Sequence, residues 1–257
     1  MNKNISPWFS TYNQVIKNQK RVFAFPYSGA GASAYHQWVN YFNQHGIDFI
    51  GVRLPARENR LAEKPFSYLP LLIDTLLPEI IPLLNKPFVF FGHSLGALIA
   101  FELSRALRKE GHTLPVHLFV SAFHPPSLPN PNKALHRLAQ DDFIDGIRAY
   151  GNTSEKVLSN PLLMDLFLPM LRADFALHET YHYKKESPLA CPITVFKGRK
   201  DSFAKAEDMS DWQQETQSHY EEIEYNGGHF FLDNYKESIS QQLIKAFHHS
   251  KEEIMLY

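Results

Sequence analysis

The sequence has little cysteine, almost no net charge and no long apolar run. Cys191 is the only cysteine among 257 residues, which excludes an internal disulfide framework and a zinc site built on cysteines. Lys and Arg number 26 against 27 Asp and Glu, so nothing in the net charge of −1 favours binding to nucleic acid or to an anionic membrane. No apolar run approaches the ~18 residues of a membrane span, and the first residues lack the apolar stretch of a secretory signal. We therefore expect a soluble cytoplasmic protein without nucleic-acid or membrane partners.

Most of the chain alternates between short apolar runs and segments with apolar residues at helical spacing. The runs predict strands at residues 21–25, 48–53, 87–91, 116–121 and 193–196, of which 21–25 and 87–91 are expected to be buried. The same alternation predicts a further, more polar strand at residues 220–225. The other segments predict helices, at residues 33–45, 67–84, 95–110, 204–215 and 233–249. Such alternation is typical of a mostly parallel sheet with helices on both faces. We predict a single α/β domain over residues 1–257, in which residues 1–20 are a loosely held lead-in that Trp8 and Phe9 attach to the body.

Residues 125–188 depart from this alternation. Four prolines come first, and residues 133–183 then have helical spacing throughout, in segments at about 139–150, 153–159 and 160–183. Because the strand pattern resumes afterwards, we interpret residues 125–188 as a helical insertion into one crossover connection rather than a separate domain. An insertion that follows a strand lies over the carboxyl ends of a parallel sheet, where ligands bind in such folds.

The apolar run at residues 87–91 leads into Gly92-His93-Ser94-Leu95-Gly96, and a predicted helix follows. Strand, Gly-x-Ser-x-Gly and helix form the nucleophile-elbow pattern of serine hydrolases, in which the glycines allow strand and helix to pack closely. The turn presents the serine hydroxyl group at the end of the sheet, above a helix N-terminus whose dipole favours a developing negative charge. Ser94 is therefore the candidate nucleophile.

A serine nucleophile needs a histidine base, which in this kind of fold follows a late strand. His229 directly follows the predicted strand at residues 220–225 and precedes the last helix. In contrast, His219 precedes that strand, and His248 and His249 lie at the end of the last helix. His229 is the candidate base, with a structural role as the alternative.

The base in turn needs a carboxylate that orients it. Asp201 is the only acidic residue in the loop between the predicted strand at residues 193–196 and the next helix, and it is the candidate acid. Capping of that helix is its alternative role. Asp165 and Asp174 are weaker candidates because they fall inside the helical insertion.

Attack by serine creates an oxyanion that two backbone N–H groups must stabilise. The amide of Leu95, directly after the nucleophile, is one candidate donor. The other is the amide of Ser28, in the loop at residues 26–31 after the first predicted strand. That loop could instead bind phosphate, but its glycines match neither Gly-x-Gly-x-x-Gly nor the Walker A pattern, and no lysine follows it. We predict no metal site.

With these residues in place, the chain resembles the type II, or editing, thioesterases of nonribosomal peptide and polyketide assembly lines, within the α/β-hydrolase superfamily. The motifs that carry the resemblance extend along nearly the whole chain: Phe25 to Gly31, Arg53 to Arg60, Leu171 to Phe175, Glu179 to Tyr181, Cys191 to Phe196, Gly198 to Asp201 and Gly228 to Phe231. The segment from Leu171 to Phe175 is the most specific of them. Ala56 and Lys200 depart from the family pattern, where glycine and aspartate are usual, but Asp201 still aligns with the acid.

The resemblance implies an α/β-hydrolase fold in which residues 125–188 form a helical lid. It implies a thioesterase that removes misprimed or stalled acyl groups from the phosphopantetheine arm of acyl or peptidyl carrier proteins. We expect the protein to be a monomer. The reaction would pass through a Ser-His-Asp triad and an acyl-serine intermediate. No cofactor of the enzyme's own is implied, since the substrate carries the phosphopantetheine.

The lid and its surroundings supply further candidates. Four apolar residues are expected to line an acyl chamber, with ordinary packing of lid on body as the alternative: Phe167, Met170, Leu171 and Phe175. Four basic residues are candidates to meet an acidic carrier protein, with simple solvation as the alternative: Arg57, Arg60, Lys184 and Lys185. Arg172 and Asp174 are expected to be structural partners within the lid.

Two other functions fit parts of the same pattern. Gly-x-Ser-x-Gly is equally compatible with a carboxylesterase or lipase-like enzyme that acts on small molecules. The fold could also serve as a non-catalytic receptor or scaffold. The intact set of Ser94, Asp201 and His229 argues against the second alternative, because a binding protein has no need of all three residues.

Overall fold

A seven-stranded sheet is the centre of the computed structural model, which describes residues 6–12, 16–129, 134–151 and 153–252. Its strands are β1 (Phe9–Ser10), β2 (Lys20–Phe25), β3 (Ile47–Val52), β4 (Phe88–His93), β5 (His117–Ser121), β6 (Ile193–Gly198) and β7 (Tyr220–Tyr225). They lie in the order β1-β3-β2-β4-β5-β6-β7. β1 pairs with β3 in antiparallel orientation and all other neighbours are parallel. The predicted mostly parallel sheet is confirmed.

The helices also follow the prediction closely. They are α1 (Val39–Gln44), α2 (Leu69–Ile80), α3 (Leu95–Lys109), α4 (Gln140–Tyr150), α5 (Glu155–Leu158), α6 (Pro161–Glu179) and α7 (Lys236–Glu252). Two predicted helices differ in type, since residues 32–38 and 206–215 form 3₁₀ rather than α-helix. No helix in the described part of the chain is long and apolar enough to cross a membrane.

Trp8 and Phe9 attach the first described residues to the body, as expected, but through a short strand that the sequence did not predict. Trp8 and Phe9 are buried, and Arg53 donates a backbone hydrogen bond of 2.6 Å to the carbonyl oxygen of Trp8. The short strand β1 thus attaches this segment to the edge of the sheet, where two residues give too little alternation for a pattern to predict it. Residues 1–5 and 13–15 of the predicted lead-in lie outside the described residues.

Side-chain alternation along the strands builds a separate apolar core on each face of the sheet. In β4, Phe88 and Phe90 point to the face covered by α2 and α3, whereas Val89 and Phe91 point to the face covered by α1 and α7. All four side chains are fully buried. Because both faces are covered, the central strands are apolar throughout, as parallel sheets require.

Helices α4, α5 and α6 lie between β5 and β6, within the segment predicted as a helical insertion. They share a small apolar core, to which Ala56 of the body also belongs: Phe143, Ile147, Leu158, Met164, Met170, Leu171 and Phe175. α6 ends at Glu179, four residues before the predicted end of the third helical segment. Residues 130–133 and 152 of the insertion lie outside the described residues.

Two glycines allow β2, β4 and α3 to meet closely around the Gly-x-Ser-x-Gly turn. A Cβ atom at Gly92 would lie 2.1 Å from the carbonyl oxygen of Gly96. A Cβ atom at Gly96 would lie 2.1 Å from the carbonyl oxygen of Phe25 in β2. Both obstacles are backbone atoms, so a side chain at either position must push a whole element aside.

We predict that Gly96→Ala destabilises the fold much more than an ordinary glycine substitution. Overpacking against backbone costs about 1–3 kcal/mol or more. The matched control is Gly111→Ala, where φ is +73° but no atom lies within 4 Å of the new Cβ, so only backbone strain of roughly 1 kcal/mol applies. Urea unfolding monitored by circular dichroism compares the two variants. Equal stability of the two would contradict the close contact described here.

His93 is the last residue of β4 and supplies a pH-dependent contribution to stability. Its side chain is fully buried, and Nδ1 lies 2.9 Å from Oγ of Ser121 on the neighbouring strand. Burial is the main reason why the pKa of His93 falls well below its ordinary value of 6.5, with nearby His229 acting in the same direction. The folded protein therefore holds His93 neutral while the unfolded chain gains a proton there as the pH falls below 6.5.

The expected result is that the free energy of unfolding decreases below about pH 6.5, with His93 contributing up to about 1.4 kcal/mol per pH unit. Replacing His93 by Gln removes this proton from the unfolded chain and makes the pH dependence shallower. Urea midpoints of both proteins at pH 7, 6 and 5 measure the difference. If the free energy of unfolding changed with pH equally in the two proteins, His93 would bind its proton equally well in the folded and unfolded states, which would contradict the prediction.

Candidate active site

The turn between β4 and α3 holds Ser94 in an unusual backbone conformation. Its φ and ψ are +53° and −122°, a combination that non-glycine residues rarely adopt. Two backbone hydrogen bonds hold it there. The amide of Ser94 donates to the carbonyl oxygen of Ser121 at 2.8 Å, and the amide of Ala97 donates to the carbonyl oxygen of Ser94 at 2.9 Å. Backbone strain at such a site persists only where the surroundings enforce it. Here they direct the hydroxyl group of Ser94 away from the sheet into a cavity.

The three predicted triad residues lie within hydrogen-bonding distance of one another. Nε2 of His229 is 3.0 Å from Oγ of Ser94, and Nδ1 of His229 is 2.8 Å from Oδ2 of Asp201. Because a carboxylate oxygen accepts, Nδ1 carries the hydrogen and Nε2 is left to accept the Ser94 proton. The side chains of His229 and Asp201 are almost fully buried. This arrangement can remove a proton from a serine hydroxyl group.

Asp201 also stabilises its own loop. Its Oδ1 atom accepts hydrogen bonds from the amides of Phe203 at 2.9 Å and Ala204 at 3.0 Å. The helical turn itself begins later, with Lys205 as its N-terminal cap, so Asp201 does not cap it. One carboxylate oxygen therefore fixes the loop while the other faces His229. The loop bonds keep the carboxylate oriented towards the imidazole.

Aromatic rings enclose the imidazole of His229. The ring centroids of Phe230, Tyr150 and Phe203 lie 5.0, 5.4 and 5.7 Å from that of His229. Tyr150, at the end of α4, stacks on Phe203 with centroids 3.6 Å apart. Phe203 and Phe230 are close to triad residues in sequence, which is a signal that could have found them. Nothing in the sequence predicts Tyr150, because its position depends on how the inserted helices pack on the body.

A cavity of about 540 Å³ opens above Ser94 and His229. Its lining includes all four lid residues predicted for an acyl chamber, Phe167, Met170, Leu171 and Phe175. Met170, Leu171 and Phe175 also belong to the apolar core of the insertion, so they pack the lid and line the cavity at once. Its volume lies within the usual range of pockets that bind small molecules, so it can hold an extended apolar chain.

His178 is a polar residue of this cavity that the sequence did not single out. It follows Phe175 by one helical turn on α6, and their ring centroids are 5.2 Å apart. Burial is the main reason why the pKa of His178 falls to about 4. At neutral pH its imidazole is therefore uncharged, and it adds a hydrogen-bonding group to a mostly apolar wall without adding charge.

The two candidate oxyanion donors come from the start of α3 and from the loop after β2. Leu95 is the first residue of α3, directly after Ser94, and its side chain is fully buried. Ser28 lines the same cavity as Ser94 and belongs to the loop at residues 26–31. A turn shapes that loop, because Ala30 donates a 3.0 Å hydrogen bond to the carbonyl oxygen of Tyr27 and Gly29 has a φ of +78°. We call residues 26–31 the oxyanion loop.

Two of the four basic residues proposed as an exposed surface are buried, so that prediction is wrong for them. Arg57 and Arg60 are 5 % and 6 % exposed. Arg57 pairs with the buried Asp174. Arg60 pairs with Glu63 and lies over the ring of Trp8. Lys184 and Lys185 are exposed. Both arginines belong to the segment after β3, and the sequence pattern does not predict the conformation of that segment.

The predicted partners within the lid are also only half correct. Arg172 donates a 2.9 Å hydrogen bond to the carbonyl oxygen of His136 and lies over the ring of Phe143, so its partners are in the insertion. Asp174 instead binds Arg57 and the backbone amide of Gly29, both in the body of the protein.

Known proteins are similar to this chain in both sequence and architecture. The family described as "Thioesterase domain" matches residues 20–250. The gramicidin S biosynthesis protein GrsT of Aneurinibacillus migulanus is 40% identical over 89% of this chain and 89% of its own length. The type II thioesterase BorB from the borrelidin biosynthetic cluster superposes with a TM-score of 0.85 at 28% identity, covering 93% of this chain and 97% of BorB.

A further solved structure agrees with these two relatives. RedJ, a thioesterase of the prodiginine pathway in Streptomyces coelicolor, has a TM-score of 0.83 at 30% identity and covers 89% of this chain and 91% of RedJ. The resemblance drawn from the sequence motifs is thereby confirmed, as is the α/β-hydrolase architecture expected from it. The chain belongs to the thioesterase family.

Proposed function

We propose that this protein hydrolyses acyl thioesters on the phosphopantetheine arm of acyl or peptidyl carrier proteins, and so clears misprimed or stalled groups from a nonribosomal peptide or polyketide assembly line. The observation that carries the proposal is the hydrogen-bonded series Ser94, His229 and Asp201 beneath a cavity of about 540 Å³. The names of GrsT, a biosynthesis protein, and BorB, a type II thioesterase, support the assembly-line setting.

In the first half of the reaction, Oγ of Ser94 attacks the thioester carbonyl carbon while Nε2 of His229 takes the hydroxyl proton. Asp201 stabilises the imidazolium that forms and keeps its ring in place. The carbonyl oxygen becomes an oxyanion that the amides of Leu95 and Ser28 stabilise. The tetrahedral intermediate then breaks its carbon–sulfur bond, the phosphopantetheine sulfur takes the proton from His229, and an acyl-serine remains.

In the second half, water replaces the departed thiol. His229 takes a proton from the water molecule as its oxygen attacks the acyl carbon. As the second tetrahedral intermediate breaks its bond to Oγ of Ser94, His229 returns that proton to Oγ, which releases the free acid and restores the enzyme. Every proton passes through His229, so the reaction needs no resident cofactor or metal.

The cavity determines which acyl groups fit. Phe167, Met170, Leu171 and Phe175 form an apolar wall for the acyl chain, and the uncharged imidazole of His178 offers one polar contact within it. We place the enzyme in the cytoplasm as a monomer that acts on carrier proteins and does not bind nucleic acid. The exposed side chains of Lys184 and Lys185 are available to an acidic carrier surface.

We predict that Ser94→Ala abolishes both turnover and labelling by a fluorophosphonate probe. Loss of the nucleophile of a triad lowers kcat by roughly 10⁴–10⁶-fold, because only binding and oxyanion stabilisation remain. Intact-protein mass spectrometry detects the label, and release of free thiol from an acyl-carrier protein reports turnover.

Ser154→Ala is the matched control for this experiment. Ser154 also lines the cavity, but its side chain is exposed and makes no capping hydrogen bond. The Ser154→Ala protein should be labelled by the fluorophosphonate probe at the wild-type rate. Persistent labelling or turnover in Ser94→Ala would require a different nucleophile.

We also predict that a carrier-bound thioester is a better substrate than a simple ester of the same acyl group. Contacts with the phosphopantetheine arm and the carrier protein are available only to the first substrate, and each 1.4 kcal/mol of such binding energy raises kcat/KM about tenfold. The comparison uses acyl-carrier protein, acyl-pantetheine and p-nitrophenyl ester with one acyl chain. Efficient hydrolysis of the p-nitrophenyl ester alone would favour the carboxylesterase or lipase-like alternative.

A further inference from the structure

A buried ion pair connects the lid to the body of the protein. Asp174 lies on α6 and is 1 % exposed, while Arg57 follows β3 in the chain and is 5 % exposed. Their contact is bidentate, with Nη2 of Arg57 2.7 Å from Oδ1 of Asp174 and Nη1 2.9 Å from Oδ2. These two charged groups come from segments 117 residues apart in the chain.

Both members of the pair also bind the oxyanion loop. The amide of Gly29 donates a 2.8 Å hydrogen bond to Oδ2 of Asp174, and Nη1 of Arg57 donates a 2.9 Å hydrogen bond to the carbonyl oxygen of Ala30. Gly29 directly follows Ser28, whose amide is the candidate oxyanion donor. The position of that amide therefore depends on a carboxylate carried by the lid.

The lid touches the oxyanion loop at a second point. A Cβ atom at Gly29 would lie 2.7 Å from Cδ2 of Leu171, one helical turn before Asp174 on α6. The lid helix thus packs directly over the loop at Gly29, with an apolar contact beside the hydrogen bond.

The backbone around Arg57 indicates that this arrangement is maintained at a cost. Ala56 and Glu58, which flank Arg57, have φ values of +64° and +53°, and each such non-glycine residue costs on the order of 1–3 kcal/mol. A buried ion pair is itself no more stabilising than an apolar pair of the same shape. Stability alone therefore does not account for the ion pair, whereas a need for exact orientation of Gly29 and Ala30 does.

We propose that Asp174 is a positioning residue, which holds the oxyanion loop in its active geometry only while α6 is seated on the body. In this scheme, which rests on the proposed function, an enzyme whose lid has moved away keeps its triad but loses correct placement of the Ser28 amide. Attack on a thioester is then efficient only when the lid has closed over the acyl chain.

The test compares Asp174→Asn with Asp165→Asn, an exposed position on the same helix. In Asp174→Asn we expect kcat for an acyl-carrier protein to fall by about 10–100-fold, less than the 10²–10³-fold loss typical of removing an oxyanion donor outright. KM should change by less than about threefold, because the acyl chamber is unchanged. Asp165→Asn should match the wild type in both constants.

A second readout separates positioning from structural support. An alkyl boronic acid forms a tetrahedral, negatively charged adduct with Ser94 that depends strongly on the oxyanion donors, whereas the free fatty acid product forms no adduct and binds mainly through its apolar chain. Asp174→Asn should bind the boronic acid about 10–100-fold more weakly and the fatty acid as tightly as the wild type. Equal losses for both ligands, or none for either, would overturn the proposal.

A double variant supplies the remaining control. Arg57→Met combined with Asp174→Leu replaces the ion pair by apolar side chains, a change that often preserves or raises stability. We expect normal urea stability with kcat still reduced, because the amide of Gly29 has lost its acceptor. Recovery of wild-type kcat would show that the pair serves stability alone. If wild-type protein and Asp165→Asn both fail to hydrolyse any thioester, the proposed function itself is wrong.

Discussion

The close approach of three backbone segments at Gly92 and Gly96 is the constraint on which the rest of the structure depends. Carbonyl oxygens of Phe25 and Gly96 occupy the space that side chains would need at these two positions. Only under this constraint does the chain turn sharply enough to hold Ser94 at a φ of +53°. The same contact brings the end of β2, and with it the oxyanion loop, next to the nucleophile. The close packing of these segments therefore places both the nucleophile and a candidate donor that stabilises the oxyanion formed by its attack.

The body and the insertion divide the chemistry between them. Ser94, Asp201 and His229 follow β4, β6 and β7, so the sheet and the loops at the ends of these strands bring them together. The lid adds the apolar wall, the ring of Tyr150 beside His229 and the carboxylate of Asp174 beneath the oxyanion loop. Lid residues thus reach every part of the site without supplying a member of the proposed triad. This division would let substrate choice change through the insertion while the sheet preserves the reaction.

Local patterns in the sequence were sufficient for most of the sheet, because β2 to β6 are distinct apolar runs and the more polar β7 lies where the alternation predicts a strand. They also located Ser94, Asp201 and His229, since each residue lies in the loop or turn that follows a predicted strand. They could not show that Arg57 is buried or that Asp174 binds outside the lid, because the sequence around a charged residue does not identify a partner that is distant in the chain. Tyr150 and His178 were unpredictable for the same reason, as both depend on how the insertion packs on the body.

The central claim is that Ser94 carries the acyl group between thioester and water. Rapid mixing of wild-type protein with a stoichiometric amount of acyl-carrier protein, followed by acid quenching and peptide mass spectrometry, tests it most directly. The account predicts a transient mass increase equal to one acyl group on the peptide that contains Ser94, appearing with the free thiol and decaying as the acid forms. Release of acid and thiol in step, with no acylated Ser94 at any time point and hydrolysis undiminished in Ser94→Ala, would contradict it.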